Sequence, residues 1–236
     1  IPNFHNPGGV TMSLERRERL VALAHERELL IVEDNPYGQI RFEGEPLPTL
    51  WELDAGAGWV IYLSTFSKIL APGIRVGWVA APQAVLRKMN LGKQAADLAS
   101  STVSQRFILE YLRRHDWREY VARLNGVYRS RRDAMLRALD EEMPAEASWT
   151  RPQGGLFVWA TLPEYLDSSD LLASAVERYE VAFVPGRAAF LDGRGGNAMR
   201  LNFSGVPEAM IGEGVRRLGV AVAEMTELHR ALGGLG

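Results

Sequence analysis

The segment STFSKILAPGIRVG, residues 64–77, decides how this sequence is interpreted. It follows the apolar run WVIYL at 59–63, and it leads into a second apolar run at 76–80. Both runs predict buried strands, because short apolar stretches bounded by turn residues are typical of strands in a sheet core. Loops that follow the core strands of α/β sheets commonly hold ligands. We therefore expect the polar side chains of this loop to face a ligand.

The loop combines one lysine with groups that bind anions. Thr65 and Ser67 lie three residues and one residue before Lys68, and Arg75 follows seven residues after it. Hydroxyl and guanidinium groups donate hydrogen bonds to anions, and a lysine amine can act as a nucleophile. The pattern indicates an anion site with a nucleophilic amine inside it. A solvated lysine after a strand is the alternative interpretation of the loop taken alone.

Lysine usage favours Lys68 for this chemistry. The chain has 27 basic residues, but its only lysines are Lys68, Lys88 and Lys93. Lys88 and Lys93 fall in a polar segment predicted to be helical, away from any strand end. Lys68 is therefore the single well-placed candidate for covalent chemistry at an amine.

A second polar cluster follows the apolar run LLIV at 29–32, which predicts another strand. Asp34 ends this strand and Tyr37 follows three residues later, with Pro36 between them. An Asx turn before a proline is the simpler interpretation of these residues. Asp34 lies 34 residues before Lys68, which leaves room for a loop, a short helix and the next strand. Both side chains can therefore emerge at the same edge of one parallel sheet.

Two further candidates lie near the ends of the chain. Asn6 begins the turn sequence Asn-Pro-Gly-Gly at 6–9, where an asparagine is most simply a turn former. Arg200 lies in the alternating run MRLNFS at 199–204, which predicts a half-buried strand. A guanidinium keeps its charge, so an arginine within an apolar strand must meet an anion. That anion is either a carboxylate of the protein or a ligand.

These eight positions occur in the order found in the pyridoxal-phosphate-dependent aminotransferases of fold type I, class I/II, the aspartate aminotransferase superfamily, and the chain resembles that family from its first residue to about residue 228. The resemblance implies that Lys68 holds pyridoxal 5'-phosphate as an imine. It also implies that the other residues bind the cofactor and the substrate as follows: Asp34 at the pyridine nitrogen, Tyr37 and Asn6 at the ring oxygen, Thr65, Ser67 and Arg75 at the phosphate, and Asn6 and Arg200 at the substrate carboxylate. Gly8 departs from the family pattern, which often has threonine there. No metal site is expected.

The implied reaction moves an amino group from an L-amino acid to a 2-oxo acid. The local sequence motifs of the chain, especially QGGLF at 153–157, most resemble those of bacterial 2-aminoadipate, aromatic and branched-chain aminotransferases. A homodimer and a cytoplasmic location are expected from the same resemblance. Three alternatives stay open: an aminotransferase-like effector domain of a transcription regulator, a catalytically silent fragment, and a β-lyase of the same fold.

The expected fold is α/β. Residues 1–125 are predicted to form part of the large three-layer cofactor-binding domain, with a mostly parallel sheet. Residues 126–236 are predicted to form a smaller α+β domain. The segment 82–142 is expected to be helical with breaks near Asp116 and at Asn125-Gly126, strands are expected at 149–160, 181–186 and 199–204, and a helix closes the chain.

Composition excludes several other classes. The chain has 236 residues, a formal charge of -2 and no cysteine. This balance gives no reason to expect nucleic acid or an anionic membrane as a partner. The absence of cysteine removes disulfides and fits a reducing compartment. No apolar run reaches the roughly 20 residues that a membrane span needs.

Members of the resembled family are considerably longer than this chain. The resemblance implies that preceding residues supply the first strands of the large domain and the aromatic ring that stacks on the cofactor. A chain of these residues alone is expected to have an uncovered apolar sheet edge, to bind the cofactor weakly and to turn over poorly.

Overall fold

A computed structural model describes residues 1–233 of the chain. The helices are α1 (Leu14–Arg27), α2 (Leu50–Asp54), α3 (Gln83–Asp97), α4 (Thr102–Arg114), α5 (Trp117–Glu142), α6 (Ser168–Tyr179) and α7 (Glu208–Gly233). The strands are β1 (Ile31–Asp34), β2 (Val60–Thr65), β3 (Gly77–Ala80), β4 (Ser148–Trp149), β5 (Phe157–Thr161), β6 (Val184–Pro185) and β7 (Ala198–Asn202). Short 3-10 helices occupy Pro72–Ile74 and Gly186–Ala189.

The chain divides into two compact units. The first contains Ile1–His5 and Val10–Asn125, and the second contains Asn6–Gly9 and the residues from Gly126 onward. The short segment Asn6–Gly9 therefore belongs to the second unit although its neighbours in sequence belong to the first. The boundary at residue 125 falls within α5.

The sheet of the first unit has the order β1-β2-β3. β1 pairs with β2 in parallel, as expected for strands that carry ligand-binding residues at one edge, and β3 pairs with β2 antiparallel. A parallel return needs a crossover of about a dozen or more residues, usually with a helix. The connection at 66–76 contains only a short 3-10 turn, so β3 runs back along β2.

The core of the first unit lies between this sheet and the first two helices. Val21 of α1, Leu50 of α2 and Val60 of β2 are buried together. Ser13 caps α1 by accepting a hydrogen bond from the Arg16 amide, as serine commonly does at this position. Among residues 1–233, no helix is both long and apolar enough to cross a membrane.

The helical segment differs in two places from its sequence-based prediction. A break occurs near Asp116 as expected, but the predicted break at Asn125-Gly126 is wrong because α5 is continuous there. A glycine inside a helix costs only about 1 kcal/mol relative to alanine, which a long packed helix tolerates. The chain instead breaks between α3 and α4, where Leu98 has a φ of 64°.

The second unit contains an antiparallel sheet of order β4-β5-β7-β6. The strand predicted at 181–186 is shorter than expected, because only Val184–Pro185 pair with β7. One face of β5 and β7 is buried and includes Val158 and Met199, each 0% exposed. Because side chains alternate along a strand, Arg200 points from the opposite face, beside its cross-strand partner Trp159.

β1 forms an exposed edge of the first sheet. Leu29, Leu30 and Val32 are all about half exposed although they are apolar, with Val32 at 58%. Apolar edge strands usually pack against another element or pair with another strand. β1 therefore lies at the end of the strand order, with exposed apolar side chains within it and just before it.

Candidate active site

Strand register brings two of the candidate loops to one edge of the first sheet. Asp34, the last residue of β1, pairs with Leu63 of β2. Since side chains alternate along a strand, Asp34 shares a sheet face with Leu63 and with Thr65, the last residue of β2. The Asn35 amide donates to the Leu63 carbonyl at 2.9 Å and extends this pairing by one residue. The carboxylate and the lysine loop therefore leave neighbouring parallel strands side by side.

Three of the predicted phosphate ligands converge after β2. Thr65 Oγ1 lies 3.0 Å from Ser67 Oγ and accepts a 3.1 Å hydrogen bond from the Ser67 amide. Arg75 Nη1 approaches Ser67 Oγ at 3.4 Å and donates to the Pro72 carbonyl at 3.2 Å. Arg75 has a φ of 56°, an uncommon conformation for a residue other than glycine. This left-handed turn ends the 3-10 helix and returns the arginine toward Ser67.

Lys68 lies within the turn that these groups enclose. The Leu70 and Ala71 amides both donate to the Phe66 carbonyl, at 2.9 and 3.2 Å, and so close the turn around Lys68. Lys68 is half-buried, and within residues 1–233 its amine makes no hydrogen bond or ion pair with another side chain.

The other two lysines lie in different surroundings. Lys93 pairs with Asp97 at 2.6 Å on the exposed surface of α3, and Lys88 is exposed on the same helix. Neither lies at the end of a strand. Their positions agree with the interpretation of Lys68 as the one reactive candidate among the three.

Asp34, at the end of β1, and Tyr37, in the loop that follows, differ in their burial. Asp34 is half-buried, whereas Tyr37 is 5% exposed. The Tyr37 carbonyl accepts from the Ile40 amide at 2.8 Å, which forms the turn that ends the loop. The Asp34 side chain makes no hydrogen bond or ion pair with another described residue, so its carboxylate can accept from a ligand.

Asn6 and Arg200 meet in the second unit. Arg200 Nη1 donates to Asn6 Oδ1 at 2.8 Å, and the Arg200 guanidinium carbon lies 4.4 Å from the centre of the Phe157 ring. Arg200 Nε is buried and has no hydrogen-bond partner among the described residues. No carboxylate of the described chain pairs with Arg200, so the alternative of a structural salt bridge finds no support. A buried unpaired guanidinium N–H fits a carboxylate ligand.

A glycine holds the Asn6 turn against β5. Gly9 has a φ of 68°, and a Cβ built on it would lie 2.6 Å from the Phe157 carbonyl oxygen. No real side chain tolerates that approach without movement of its neighbour. Gly9 therefore lets the turn that carries Asn6 lie close to the strand that flanks Arg200.

The eight predicted residues thus fall in two groups. Six belong to the first unit, namely Asp34, Tyr37, Thr65, Ser67, Lys68 and Arg75, and two belong to the second, namely Asn6 and Arg200. The sequence reasoning missed Ser64 and Asn35, which connect the two loops of the first unit. No local sequence pattern distinguishes a buried asparagine such as Asn35 from an exposed one.

The groups after β2 fit a phosphate, and the free lysine amine fits an aldehyde. Two hydroxyls and a guanidinium converge, and no carboxylate of the described chain pairs with Arg75 to neutralise it. Such donors bind phosphate well, because charge-assisted hydrogen bonds are the strongest in proteins. Within residues 1–233, no cluster of histidine, aspartate or glutamate has the arrangement of a metal site.

A cavity of about 280 Å³ lies in the first unit behind the lysine loop. Its walls are mainly apolar and include the aromatic residues Phe66, Trp78, Tyr111 and Trp117. Thr65 lines it, but neither Asp34 nor Lys68 does, so we do not assign the cavity to the binding of the cofactor ring.

The fold and these loops define an aminotransferase-type protein, and comparison with known proteins agrees. The model of the family "Aminotransferase class I and II" matches residues 1–218. The chain belongs to this family. It is 48% identical over 224 residues to aromatic-amino-acid aminotransferase 1 of Thermococcus litoralis, covering 95% of this chain and 53% of that protein.

A solved structure and a regulator extend the comparison. The α-aminoadipate aminotransferase of Thermus thermophilus, complexed with N-(5'-phosphopyridoxyl)-L-leucine, is 42% identical and superimposes with a TM-score of 0.93, covering 97% of this chain and 59% of that one. An uncharacterised HTH-type transcriptional regulator of Bacillus subtilis, YisV, is 34% identical over 86% of this chain and 41% of its own length. The chain spans about half the length of the relatives that it matches.

Proposed function

We propose that this chain carries the lysine-bearing part of a pyridoxal-phosphate-dependent aminotransferase, which moves an amino group from an L-amino acid to a 2-oxo acid. The observation that supports this most is the half-buried, unpaired Lys68 in a loop closed by Thr65, Ser67 and Arg75. Family membership and the phosphopyridoxyl ligand of the Thermus structure agree with the proposal.

The cofactor would supply an aldehyde that reacts with amines and a pyridinium ring that withdraws electrons from the substrate. Lys68 Nζ would hold the cofactor covalently, and its amine, once released, would take up the proton from the substrate Cα. The Asp34 carboxylate would keep a proton on the pyridine nitrogen, while Thr65, Ser67 and Arg75 would bind the phosphate.

Tyr37 and the two residues of the second unit complete the assignment. The Tyr37 hydroxyl would donate to the ring oxygen of the cofactor. The free N–H groups of Arg200 would bind the α-carboxylate of the amino acid, with Asn6 holding the guanidinium in place from its other side. In the net reaction the amino acid exchanges its amino group and its Cα hydrogen for the carbonyl oxygen of the 2-oxo acid, so that the donor becomes a 2-oxo acid and the acceptor becomes an amino acid.

Finer assignments are also proposals. The similarity to the Thermococcus and Thermus enzymes supports an aromatic amino acid or 2-aminoadipate as the amino donor. We propose a homodimer, supported by exposed apolar side chains on and before α4, such as Leu98 at 80% and Val103 at 78%. A cytoplasmic location is supported by the absence of cysteine from the sequence.

Covalent labelling tests the proposal. The protein is incubated with pyridoxal phosphate, reduced with borohydride, digested and mapped by mass spectrometry. We expect a phosphopyridoxyl group on Lys68, no label on that peptide in Lys68→Ala, and normal labelling in the control Lys88→Arg. A label on Lys88 or Lys93 in place of Lys68 contradicts the assignment.

A second candidate function has one observation in its favour. The identity to the YisV regulator makes an effector domain that binds the same cofactor a real alternative. The two functions differ in turnover, because only an aminotransferase converts added amino acids. Spectral conversion of the loaded protein by a panel of amino acids supports the enzyme, and cofactor binding without conversion by any of them supports the regulator.

A further inference from the structure

The side chain of Asn35 is the centre of a buried polar chain in the first unit. Asn35 is 6% exposed. Its Oδ1 accepts from Asn3 Nδ2 at 3.0 Å, and its Nδ2 donates to the Tyr62 hydroxyl at 3.0 Å. A Cβ on Gly38 would lie 2.6 Å from Asn35 Oδ1, so the loop closes directly around this amide. The conformation of the loop that carries Asp34 therefore depends on the Asn35 side chain.

The backbone of Asn35 binds the end of β2 at the same time. Its amide donates to the Leu63 carbonyl at 2.9 Å, and its carbonyl accepts from Ser64 Oγ at 3.1 Å. Asp34 precedes Asn35 by one residue, and Thr65 follows Ser64 by one residue. These bonds join the loop that would bind the cofactor ring to the loop that would bind its phosphate.

We propose that Asn35 is a positioning residue that sets the spacing between the ring-binding and phosphate-binding halves of the site, with Ser64 as its partner. This inference rests on the proposed function. Ring and phosphate belong to one molecule, so binding of one half raises the effective concentration of the other half at its own loop. That gain requires two loops whose separation matches the ligand. If the two loops moved independently, one would still bind the ring and the other the phosphate, but the gain in affinity for the whole cofactor would be lost.

The test compares three probes: pyridoxal phosphate, pyridoxal without its phosphate, and inorganic phosphate. Ser64→Ala removes one of the bonds between the loops, together with the contact of Ser64 with the Tyr62 hydroxyl, and keeps the bonds of the Asn35 side chain to Asn3 and Tyr62. We expect it to weaken pyridoxal phosphate about fivefold, the effect of losing one hydrogen bond. Affinity for pyridoxal alone and for phosphate alone is expected to change by less than about twofold, because each half still meets an intact loop.

Asn35→Ala provides a second variant that acts from the other side of the contact. It removes the amide from the buried chain and leaves the backbone bonds in place. The loss of two side-chain hydrogen bonds is expected to weaken pyridoxal phosphate by about tenfold or more, again with smaller effects on the separate halves. Asn35→Ala leaves the buried Asn3 amide and the half-buried Tyr62 hydroxyl without this partner, so Ser64→Ala decides the question if Asn35→Ala does not fold.

Ser101→Ala is the matched control. Ser101 caps α4 by accepting from the Ser104 amide and makes no contact with either loop. The Ser101→Ala variant loses a comparable hydrogen bond, so its free energy of unfolding should fall. Its affinities for pyridoxal phosphate, pyridoxal and inorganic phosphate should stay unchanged. This variant separates a general loss of stability from a loss of positioning.

Two outcomes overturn the inference while the proposed function stands. Either Ser64→Ala binds pyridoxal phosphate as tightly as the unaltered chain, or all three probes weaken by the same factor, as a purely structural role requires. Failure of the unaltered chain to form a reducible adduct at Lys68 is a different result. It rejects the proposed function, and this inference with it.

Discussion

The buried arginine of α1 gives the sharpest stability prediction. Arg17 is 0% exposed, and its guanidinium donates to the carbonyls of Met12, Pro48 and Pro2 at 3.0, 2.9 and 3.2 Å and to Asn3 Oδ1 at 2.6 Å. Arg17→Met keeps a long apolar side chain and removes all of these donors. The substitution therefore isolates the hydrogen bonds from the packing of the aliphatic stem.

The magnitude follows from what remains buried. A buried polar group left without its partner costs about 1–3 kcal/mol. The lower end of that range for the four acceptors gives a loss of about 4 kcal/mol, a large part of the 5–15 kcal/mol typical of a folded protein. Burial raises the pKa of Glu33, and the attraction of Arg17 opposes that rise. Without Arg17, this attraction no longer offsets the desolvation cost of the Glu33 carboxylate, which adds to the loss.

Denaturant unfolding measures this loss. Arg16→Met is the matched control, because Arg16 is the exposed neighbour on the same helix, and we expect it to change stability by less than about 0.5 kcal/mol. Adding Glu33→Gln to Arg17→Met should restore part of the stability by removing a buried unpaired charge. A loss below about 1 kcal/mol for Arg17→Met refutes the reasoning, since it means that water or local movement satisfies the four acceptors.

Two further predictions concern the second unit and the pH dependence of folding. Gly9→Ala should destabilise the protein by about 1–3 kcal/mol, because the backbone of Gly9 is left-handed and the added Cβ would lie 2.6 Å from the Phe157 carbonyl oxygen. Gly73→Ala is the control and should be nearly neutral, because a Cβ at Gly73 meets open space. Equal effects of the two variants in thermal unfolding would contradict the reasoning. Burial acts to raise the pKa of Asp54, but hydrogen bonds from His25 and from the Gly58 and Trp59 amides outweigh it, so the pKa is lowered overall. The stabilisation by Asp54 should therefore be complete above the pKa of an unfolded aspartate, about 3.9, and should be lost as the pH falls through the lower folded value. The difference in unfolding free energy between the unaltered chain and Asp54→Asn should therefore stay constant above about pH 5 and shrink as the pH falls below about 4, and a difference that stays constant at the lower pH would contradict the assignment.

The elements that carry the site were predictable because they depend on local sequence. Apolar runs bounded by turn residues predicted β1 and β2, and polar residues directly after them predicted a ligand edge. The antiparallel direction of β3 was not predicted, since the strand pattern carries no information on direction. The continuous α5 was missed at Gly126 because packing outweighs the helix propensity of one residue.

The proposed chemistry of the site follows from residue types and their order, in particular those of Lys68, Asp34 and Arg200. An amine, a carboxylate and a guanidinium each have few roles in apolar surroundings, so their presence beside predicted strands restricts the possible reactions. The same reasoning could not find Asn35. An asparagine before a proline has the same local pattern whether it is a solvated turn or the centre of a buried polar chain.

The sequence alone determined the class of this protein and predicted its candidate reactive groups, because residue type and spacing along a strand are local properties. Only the tertiary structure decided which groups meet. Asn6 and Arg200 are 194 residues apart yet share a hydrogen bond, and the contact between Ser64 and Asn35 depends on strand register. Such contacts follow from burial, register and backbone conformation, which arise when distant segments pack together.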